Sequence, residues 1–356
     1  MTMAFAMGRR GLGLTAPNPS VGCVIVKDGL VVGRGVTQAG GRPHAETVAL
    51  AQAGEAARGA TAYVTLEPCS HVGRTGPCAD ALARAGVARV VGAIRDPDTR
   101  VAGRGFAMLR SYGLAVTEGV MEHEARDAHA GHFTRVRLGR PAVTLKLALS
   151  ADGKVAGPGG VPVRITGEEA SVQVHGLRNR HDAIAVGIGT VLRDDPLLTV
   201  RLPGLEQRRL PRIVFDTHLR LPPSSRLVGS LEAAPLTVIA GTDAPIAAEQ
   251  ALTSAGVTVL RVSQTATGSL ALAEALRLLG TLGLTRLFVE GGPTLAKALV
   301  DADLVDEFFR FTAPQSIGPD GTDGLGTATM DRLASVLTRT EVHRFGVDTL
   351  TVFRRS

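Results

Sequence analysis

Tryptophan is absent from these 356 residues, tyrosine occurs twice, and aromatic residues make up 3% of the chain. Proteins that hold single-stranded nucleic acid stack its bases on aromatic platforms, so no nucleic-acid partner is expected. An anionic partner of another kind is favoured, because 39 Lys and Arg against 33 Asp and Glu leave a net charge of +6. The basic residues are scattered apart from Arg208-Arg209, which points to a phosphorylated small molecule. No apolar run approaches the roughly 18 residues that cross a bilayer, so no membrane partner is expected either. Three cysteines are too few, and odd in number, for a disulfide framework. The opening MTMAFAMGRRGLGLT also lacks the charged, apolar and small-residue order of a signal peptide. The expected compartment is a reducing cytoplasm, where clustered cysteines read as metal ligands or catalytic groups.

The chain contains enough apolar residues, 44%, for a packed core, and its length suggests about two domains. Segments 21–27, 30–35, 61–66, 88–94 and 114–117 read as strands. They alternate with helical patterns over 44–52, 79–85, 106–112 and a charged stretch at 122–136 read as one helix. Leu138-Gly139-Arg140-Pro141 ends that pattern on Gly and Pro. The expected domains are therefore 1–139 and 140–356. The second repeats the alternation, with strands at 142–149, 183–186, 212–215, 236–240, 257–262, 287–290, 307–312 and 349–354. Helices are expected at 271–279 and 294–300, and loops at 157–162, 203–211 and 317–326. Such alternation predicts two layered α/β domains.

The first chemical constellation is His44-Ala45-Glu46 followed by Pro68-Cys69-Ser70-His71 and Pro77-Cys78. His44, Cys69 and Cys78 make a three-ligand zinc set with a fourth position left for water. His44 and the cysteine loop both sit where chain enters a helix, and a helix N-terminus stabilises a thiolate. Glu46, two residues past a ligand, can shuttle protons beside the activated water, as the glutamate does in zinc nucleobase deaminases. A closed structural site with His71 as fourth ligand is the alternative, and Glu46 at the shuttle spacing argues against it. Cys23, inside an apolar strand, reads as a core thiol. Asn18, between Pro17 and Pro19, reads on its own as a turn former.

The second constellation is Phe288-Val289-Glu290-Gly291-Gly292-Pro293-Thr294-Leu295, a strand, a Gly-rich turn and a helix start. Free N–H groups at such a helix start bind phosphate, so this segment reads as a phosphate or dinucleotide site. The nearby Val186-Gly187-Ile188-Gly189 lacks the third glycine of a dinucleotide fingerprint.

Taken together, these motifs resemble the bifunctional deaminase/reductase family of riboflavin biosynthesis over nearly the whole chain. Pro17-Asn18-Pro19-Ser20-Val21-Gly22-Cys23 and the eight residues between Cys69 and Cys78 match its deaminase half. The segments 145–154, Leu177-Arg178, 189–201 and 290–295 match its reductase half. The resemblance implies a cytidine-deaminase-like N-terminal domain and a dihydrofolate-reductase-like C-terminal domain. It also implies zinc and NADPH as cofactors, with Glu46 as the catalytic residue. NADP contacts are implied at Ala148, Thr190, Asp194 and the turn residues Gly292, Pro293, Thr294, Leu295, Ala296, Lys297 and Ala298. Substrate contacts are implied at Asn18, Arg178, Leu198, Arg201 and Glu290, with Arg178 and Arg201 suited to a ribose phosphate because guanidinium pairs with phosphate bidentately. Read without the family, Asp194 can be a cap or turn residue, Glu290 a strand-end cap, and the two arginines surface charges. The family's Ser-x-Trp-Ile-Thr is Pro162-Val163-Arg164-Ile165-Thr166 here, and Gly76 replaces a usual Pro. The expected enzyme is a homo-oligomer that deaminates a phosphorylated pyrimidine and then reduces its ribosyl chain. Its rivals are a deaminase with a non-reducing second domain, a nucleic-acid deaminase, and a zinc-stabilised binding protein.

Overall fold

The structure, a computed structural model, describes residues 1–71 and 76–355. Val72, Gly73, Arg74 and Thr75 of the loop between the two cysteines lie outside the described residues. The chain divides into two compact units, Met1–Pro141 with Gly280–Thr285, and Ala142–Leu279 with Arg286–Ser356.

In the first unit, β1 (Gly22–Lys27) and β2 (Leu30–Val36) form an antiparallel hairpin. Asp28 and Gly29 both have positive φ, 49° and 78°, the conformation that suits an Asp-Gly turn to the twist of a hairpin. β1 also pairs antiparallel with β3 (Thr61–Val64), and β4 (Arg89–Gly92) and β5 (Ala115–Thr117) extend the sheet in parallel, giving the order β2-β1-β3-β4-β5. Helix Ala45–Ala53 presses against β2 because Gly35 and Gly33 carry no side chain there. A Cβ on Gly35 would stand 2.0 Å from the Ala45 carbonyl oxygen, and one on Gly33 would stand 2.3 Å from that of Ala49. This close approach fixes the helix that carries His44 and Glu46 at its start.

The charged stretch at 122–136 is not one helix. Glu122–Ala128 and Ala130–Leu138 are separate helices that meet at His129. His129 is buried, and its Nε2 lies 3.1 Å from the Thr65 carbonyl oxygen and 3.2 Å from the Thr65 hydroxyl. A tertiary hydrogen bond there takes precedence over the local pattern.

The second unit contains β6 (Ala142–Leu149), β7 (Lys154–Pro158), β8 (Ala183–Gly187), β9 (Arg212–Phe215), β10 (Leu236–Gly241), β11 (Thr258–Val262), β12 (Arg286–Val289), β13 (Glu307–Thr312), β14 (Gly321–Asp323), β15 (Leu337–Phe345) and β16 (Asp348–Arg355). Nine of them form one sheet in the order β11-β10-β9-β8-β12-β6-β13-β16-β15. The seven strands from β11 to β13 run parallel, and β16 and β15 add an antiparallel edge. Parallel strands buried on both faces read as continuous apolar runs, which is why AIAV in β8 and RIVF in β9 are legible. β7 and β14 pair separately; β14 lies within the expected loop 317–326, and β7 ends inside the one expected at 157–162. Helices Glu168–Asn179 and Thr327–Val336, and strand β15, add elements beyond the sequence expectation. The strand order reverses where β12 enters between β8 and β6. In open α/β sheets ligands bind beyond the carboxyl ends of strands at such a point.

Candidate active sites

His44 is the N-cap of helix Ala45–Ala53, and Cys78 opens helix Cys78–Arg84. Cys69 approaches from the loop after β3, and its sulfur accepts a hydrogen bond from the Cys78 backbone N–H at 3.3 Å. The ligand atoms of His44, Cys69 and Cys78 all lie within 4.8 Å of one another. His44 Nδ1 stands 3.3 Å from Cys78 Sγ and 3.7 Å from Cys69 Sγ. Zinc–sulfur bonds near 2.3 Å and zinc–nitrogen bonds near 2.0 Å place tetrahedral ligand atoms about 3.5–3.8 Å apart, so the spacing fits zinc. His71 lines the same pocket but is not in the cluster.

The electrostatics fit a cation as well. The hydrogen bond from Cys78 holds the Cys69 thiol down at about 4, with help from His44. Cys78 is driven the other way, by the neighbouring Cys69 sulfur first and by burial second. Two adjacent thiols cannot both ionise on their own, and a divalent cation between them removes that conflict. Glu46 is buried and pushed up to about 7, by desolvation first and then by the charge of Cys69. Its carboxyl also meets the Cys78 thiol. A carboxyl with a pKa near neutrality can both take and return a proton.

The pocket, of about 110 Å3, is bounded by Asn18, Glu67, Asp96 and His132 besides the cluster. Asn18 donates from Nδ2 to the Gly41 carbonyl oxygen at 2.8 Å. A Cβ at Gly41, where φ is +85°, would stand 2.5 Å from that nitrogen. Glu67, Asp96 and His132 are among the lining residues that escaped the sequence reading. Glu67 accepts backbone N–H groups from Asp96, Gly103, Gly105 and Phe106, which fixes the loop opposite the cysteines. Asp96 pairs with His132 at 2.9 Å. Glu67 stands two residues before Cys69, a cue that sequence could have offered; Asp96 and His132 are brought together only by the fold.

In the second unit the carboxyl ends of β6, β8 and β12 carry Ala148, the helix Ile188–Asp194 and the Gly291-Gly292 turn. Gly292 caps helix Pro293–Asp301, with Pro293 in its first turn. A Cβ at Gly292 would lie 3.6 Å from the Thr190 hydroxyl, so the turn and Thr190 share one cradle of the kind an anionic cofactor needs. Glu290 is gripped by Arg178, whose Nε and Nη2 donate to its two oxygens at 2.5 and 3.1 Å. Lys146 Nζ lies 3.9 Å away. Burial lowers the Lys146 pKa, while its cationic neighbours hold that of Glu290 down against burial.

Residues 141–350 match the RibD C-terminal domain family, and residues 1–94 match the cytidine and deoxycytidylate deaminase zinc-binding region. Riboflavin biosynthesis protein RibD of Aquifex aeolicus is 39% identical over 356 residues, covering 100% of this chain and 97% of its own length. That of Escherichia coli is 44% identical over 331 residues, covering 90% of this chain and 88% of its own. The chain belongs to the RibD family. Acinetobacter baumannii RibD superposes with a TM-score of 0.86 at 34% identity, over 100% of this chain and 97% of that one. A Thermotoga maritima diaminohydroxyphosphoribosylaminopyrimidine deaminase/5-amino-6-(5-phosphoribosylamino)uracil reductase superposes with a TM-score of 0.84 at 31% identity, over 100% and 97%. A RibD-family chain is a bifunctional enzyme of riboflavin biosynthesis, with a zinc-binding deaminase domain and an NADPH-dependent reductase domain.

Within this RibD-family chain the remaining site residues fall in several settings. Asp194 ends the helix Ile188–Asp194 and pairs with Arg193 at 3.2 Å. Leu198 is buried with φ at 55°. Arg201 faces the Arg178 pocket. Thr294 is exposed at the open end of its helix, whereas Leu295 and Ala296 pack in the core. Lys297 pairs with Asp301 on the outer face, and Ala298 is exposed. Pro162 and Arg164 are exposed. The carbonyls of Arg164 and Ile165 accept from Gln315 Nε2 at 3.0 and 2.9 Å, and Arg164 Nε donates to the Thr166 carbonyl oxygen at 3.3 Å.

Proposed function

We propose that this RibD-family enzyme acts on 2,5-diamino-6-(5-phosphoribosylamino)pyrimidin-4(3H)-one in domain 1–139. Water replaces the ring amino group with oxygen and releases ammonia. Domain 140–356 then reduces the ribosyl side chain of the product, 5-amino-6-(5-phosphoribosylamino)uracil, to ribityl. The observation that carries the reading is the convergence of His44 Nδ1, Cys69 Sγ and Cys78 Sγ beside a buried Glu46 raised to about 7.

His44, Cys69 and Cys78 would hold zinc, and the Gly292 turn with Thr190, Ala148 and Asp194 would hold NADPH. Zinc supplies an acidified water, pKa about 7, at neutral pH, and NADPH supplies the reducing electrons. Glu46 takes one proton from the water and passes it to a ring nitrogen, then takes the second from the added hydroxyl and passes it to the amino nitrogen, which leaves as ammonia. Asn18 orients the pyrimidine from the Gly41 side. In the second unit Glu290 and Leu198 position the ribosyl chain. Lys146, with its pKa lowered by burial, is the group placed to give a proton to the carbonyl oxygen as it is reduced. Arg178 and Arg201 belong to the phosphate-binding side. A cytoplasmic homo-oligomer completes the reading; sedimentation of the purified chain and cell fractionation test those two points.

The test is to supply the diaminopyrimidinone to purified protein and follow ammonia release and NADPH oxidation together. Both signals in sequence are expected. Ammonia without NADPH oxidation would leave a deaminase whose second domain does not reduce, and neither signal would reject the substrate.

A further inference from the structure

Two residues that are not glycine take left-handed backbone close together in the second unit, Asp195 at φ 36° and Leu198 at φ 55°. Aspartate tolerates that region, whereas a buried leucine adopts it only where its surroundings hold it there. The bonds that hold Leu198 lie on both sides of it. The Leu197 carbonyl oxygen accepts from Arg212 Nη1 at 3.3 Å, and the Thr199 carbonyl oxygen accepts from Arg178 Nη1 at 2.8 Å. Farther along, the Arg201 backbone N–H donates to His175 Nδ1 at 3.2 Å. Leu198, with Pro196 and Leu197, walls a pocket of about 340 Å3.

Arg212 is the least expected of these partners. It begins β9, whose other residues Ile213, Val214 and Phe215 are apolar and buried, and it is fully buried itself. It pairs with no carboxylate among the described residues, and its Nε has no hydrogen-bond partner among them. Burial lowers its pKa to about 10, so it is still a cation at neutral pH. A lone buried cation is costly, and an apolar side chain of similar size would remove that cost. An apolar side chain would not satisfy carbonyl groups, however. Besides the bond to Leu197, Nη1 donates to the Ser230 hydroxyl at 2.7 Å, and Nη2 donates to the carbonyl oxygens of Ser230 at 3.0 Å and Ala234 at 2.5 Å. The Ser230 hydroxyl in turn donates to the Arg226 carbonyl oxygen at 2.5 Å. The Arg226 backbone N–H closes the circuit by donating to Asp195 Oδ1 at 2.9 Å. One planar fork thus ties the left-handed stretch 195–198 to the stretch 226–234.

We infer that Arg212 is a positioning residue of the reductase: without touching the ribosyl substrate, its guanidinium holds Leu197 and so keeps Leu198 in the left-handed backbone that shapes the substrate side of the pocket. This inference rests on the reading above in which Leu198 positions the ribosyl chain. The fork rather than the charge performs the task, because two segments must be held at once and a single ammonium point does not span both.

The experiment supplies the full chain with 5-amino-6-(5-phosphoribosylamino)uracil and NADPH, and compares wild type with R212M and R212K. R212M removes the fork and the charge, and R212K removes the fork alone. Both are expected to raise the KM for the ribosyl compound roughly tenfold or more, while the KM for NADPH holds. Amide hydrogen exchange within 195–201 should quicken in both. An unchanged KM for the ribosyl compound in both variants, beside a lowered urea midpoint, would make Arg212 a stabilising residue only and overturn the inference. A rise in R212M alone would assign the effect to the charge and overturn it too, as would an equal rise in the KM for NADPH. If R212M does not fold, R212K decides on the same constants. Wild-type enzyme that oxidises no NADPH with the supplied compound would remove the ribosyl reading and this inference with it. A wild type that reduces the compound, beside variants that reduce it with the same KM, would remove this inference alone.

Discussion

The two sites carry opposite excesses of charge. The first unit sets two thiols and the carboxyl groups of Glu46, Glu67, Asp96 and Asp98 about one pocket, with Arg42 and Arg100 on its lining as well. In the second, Arg178, Arg201 and Arg226 line one pocket, and Arg178 and Lys146 face the carboxylate of Glu290. Neither excess is stable as it stands, because like charges held close in low dielectric raise each other's energy. The thiols of the first suit a cation, while Arg42 and Arg100 at its pocket suit the anionic substrate; the guanidinium groups of the second suit an anion. The net +6 of the chain conceals this division.

The harshest test of the comparison removes a thiolate. C69S or C78S should lose zinc and deamination together, since a hydroxyl is a poor replacement for a soft ligand. Metal analysis that finds full zinc in both variants would break the negative half of the comparison. Next is E46Q, which keeps the ligands and loses the proton shuttle. Ammonia release should fall by roughly 10²–10⁴-fold, while NADPH oxidation with supplied 5-amino-6-(5-phosphoribosylamino)uracil continues; near-normal ammonia release would clear Glu46 of the role. In the second unit, R178A leaves Glu290 buried with only the more distant Lys146. Breaking a buried pair from one side costs roughly 3–5 kcal/mol, which a lowered urea midpoint would register. E290Q, which removes the lone negative charge from the cationic side, should raise the KM of the ribosyl substrate more than that of NADPH.

A smaller effect concerns acid. His181 is buried between the Leu177 carbonyl oxygen and the Thr144 hydroxyl, and its pKa is lowered to about 4 by burial first and by Arg286 second. Between about pH 6.5 and 4 the unfolded chain binds a proton there that the folded chain does not. The stability from neutral His181 is thus complete above pH 6.5 and is lost as pH falls toward 4. Urea midpoints at pH 7 and pH 5 should differ in wild type and differ less in H181Q; equal slopes in both would acquit His181.

The grouping of His44, Cys69 and Cys78 was legible because each lies in a short motif, two of them at helix starts. His44 and Glu46 are two residues apart, and each cysteine sits in a Pro-Cys step. The parallel strands were legible because burial on both faces makes apolar runs. β15 was not: most of its residues are exposed, so no alternation marks it, and its pairing with β16 holds it. The break at His129 depends on Thr65, 64 residues away. The cationic pocket depends on residues from three separate segments, none of which is unusual in its own neighbourhood. Chemistry written within a few residues can be read in advance, whereas chemistry assembled from distant ones waits for the fold.

The placement of β12 also governs the order in which the molecule can be made. In the first unit every sheet strand has been synthesised by Thr117, and β1 meets β3 across a gap of 41 residues, Cys23 to Val64. In the second, β6 and β8 flank a slot that β12 alone fills, and Ala142 meets Arg286 across 144 residues. Contacts of such separation form late, because the loop must close before they return any stabilisation. A nascent chain thus holds a finished deaminase sheet well before a reductase sheet is possible. Glu290, the residue after β12, arrives with the strand that closes the gap, and β13, β15 and β16 are added to the sheet only afterwards.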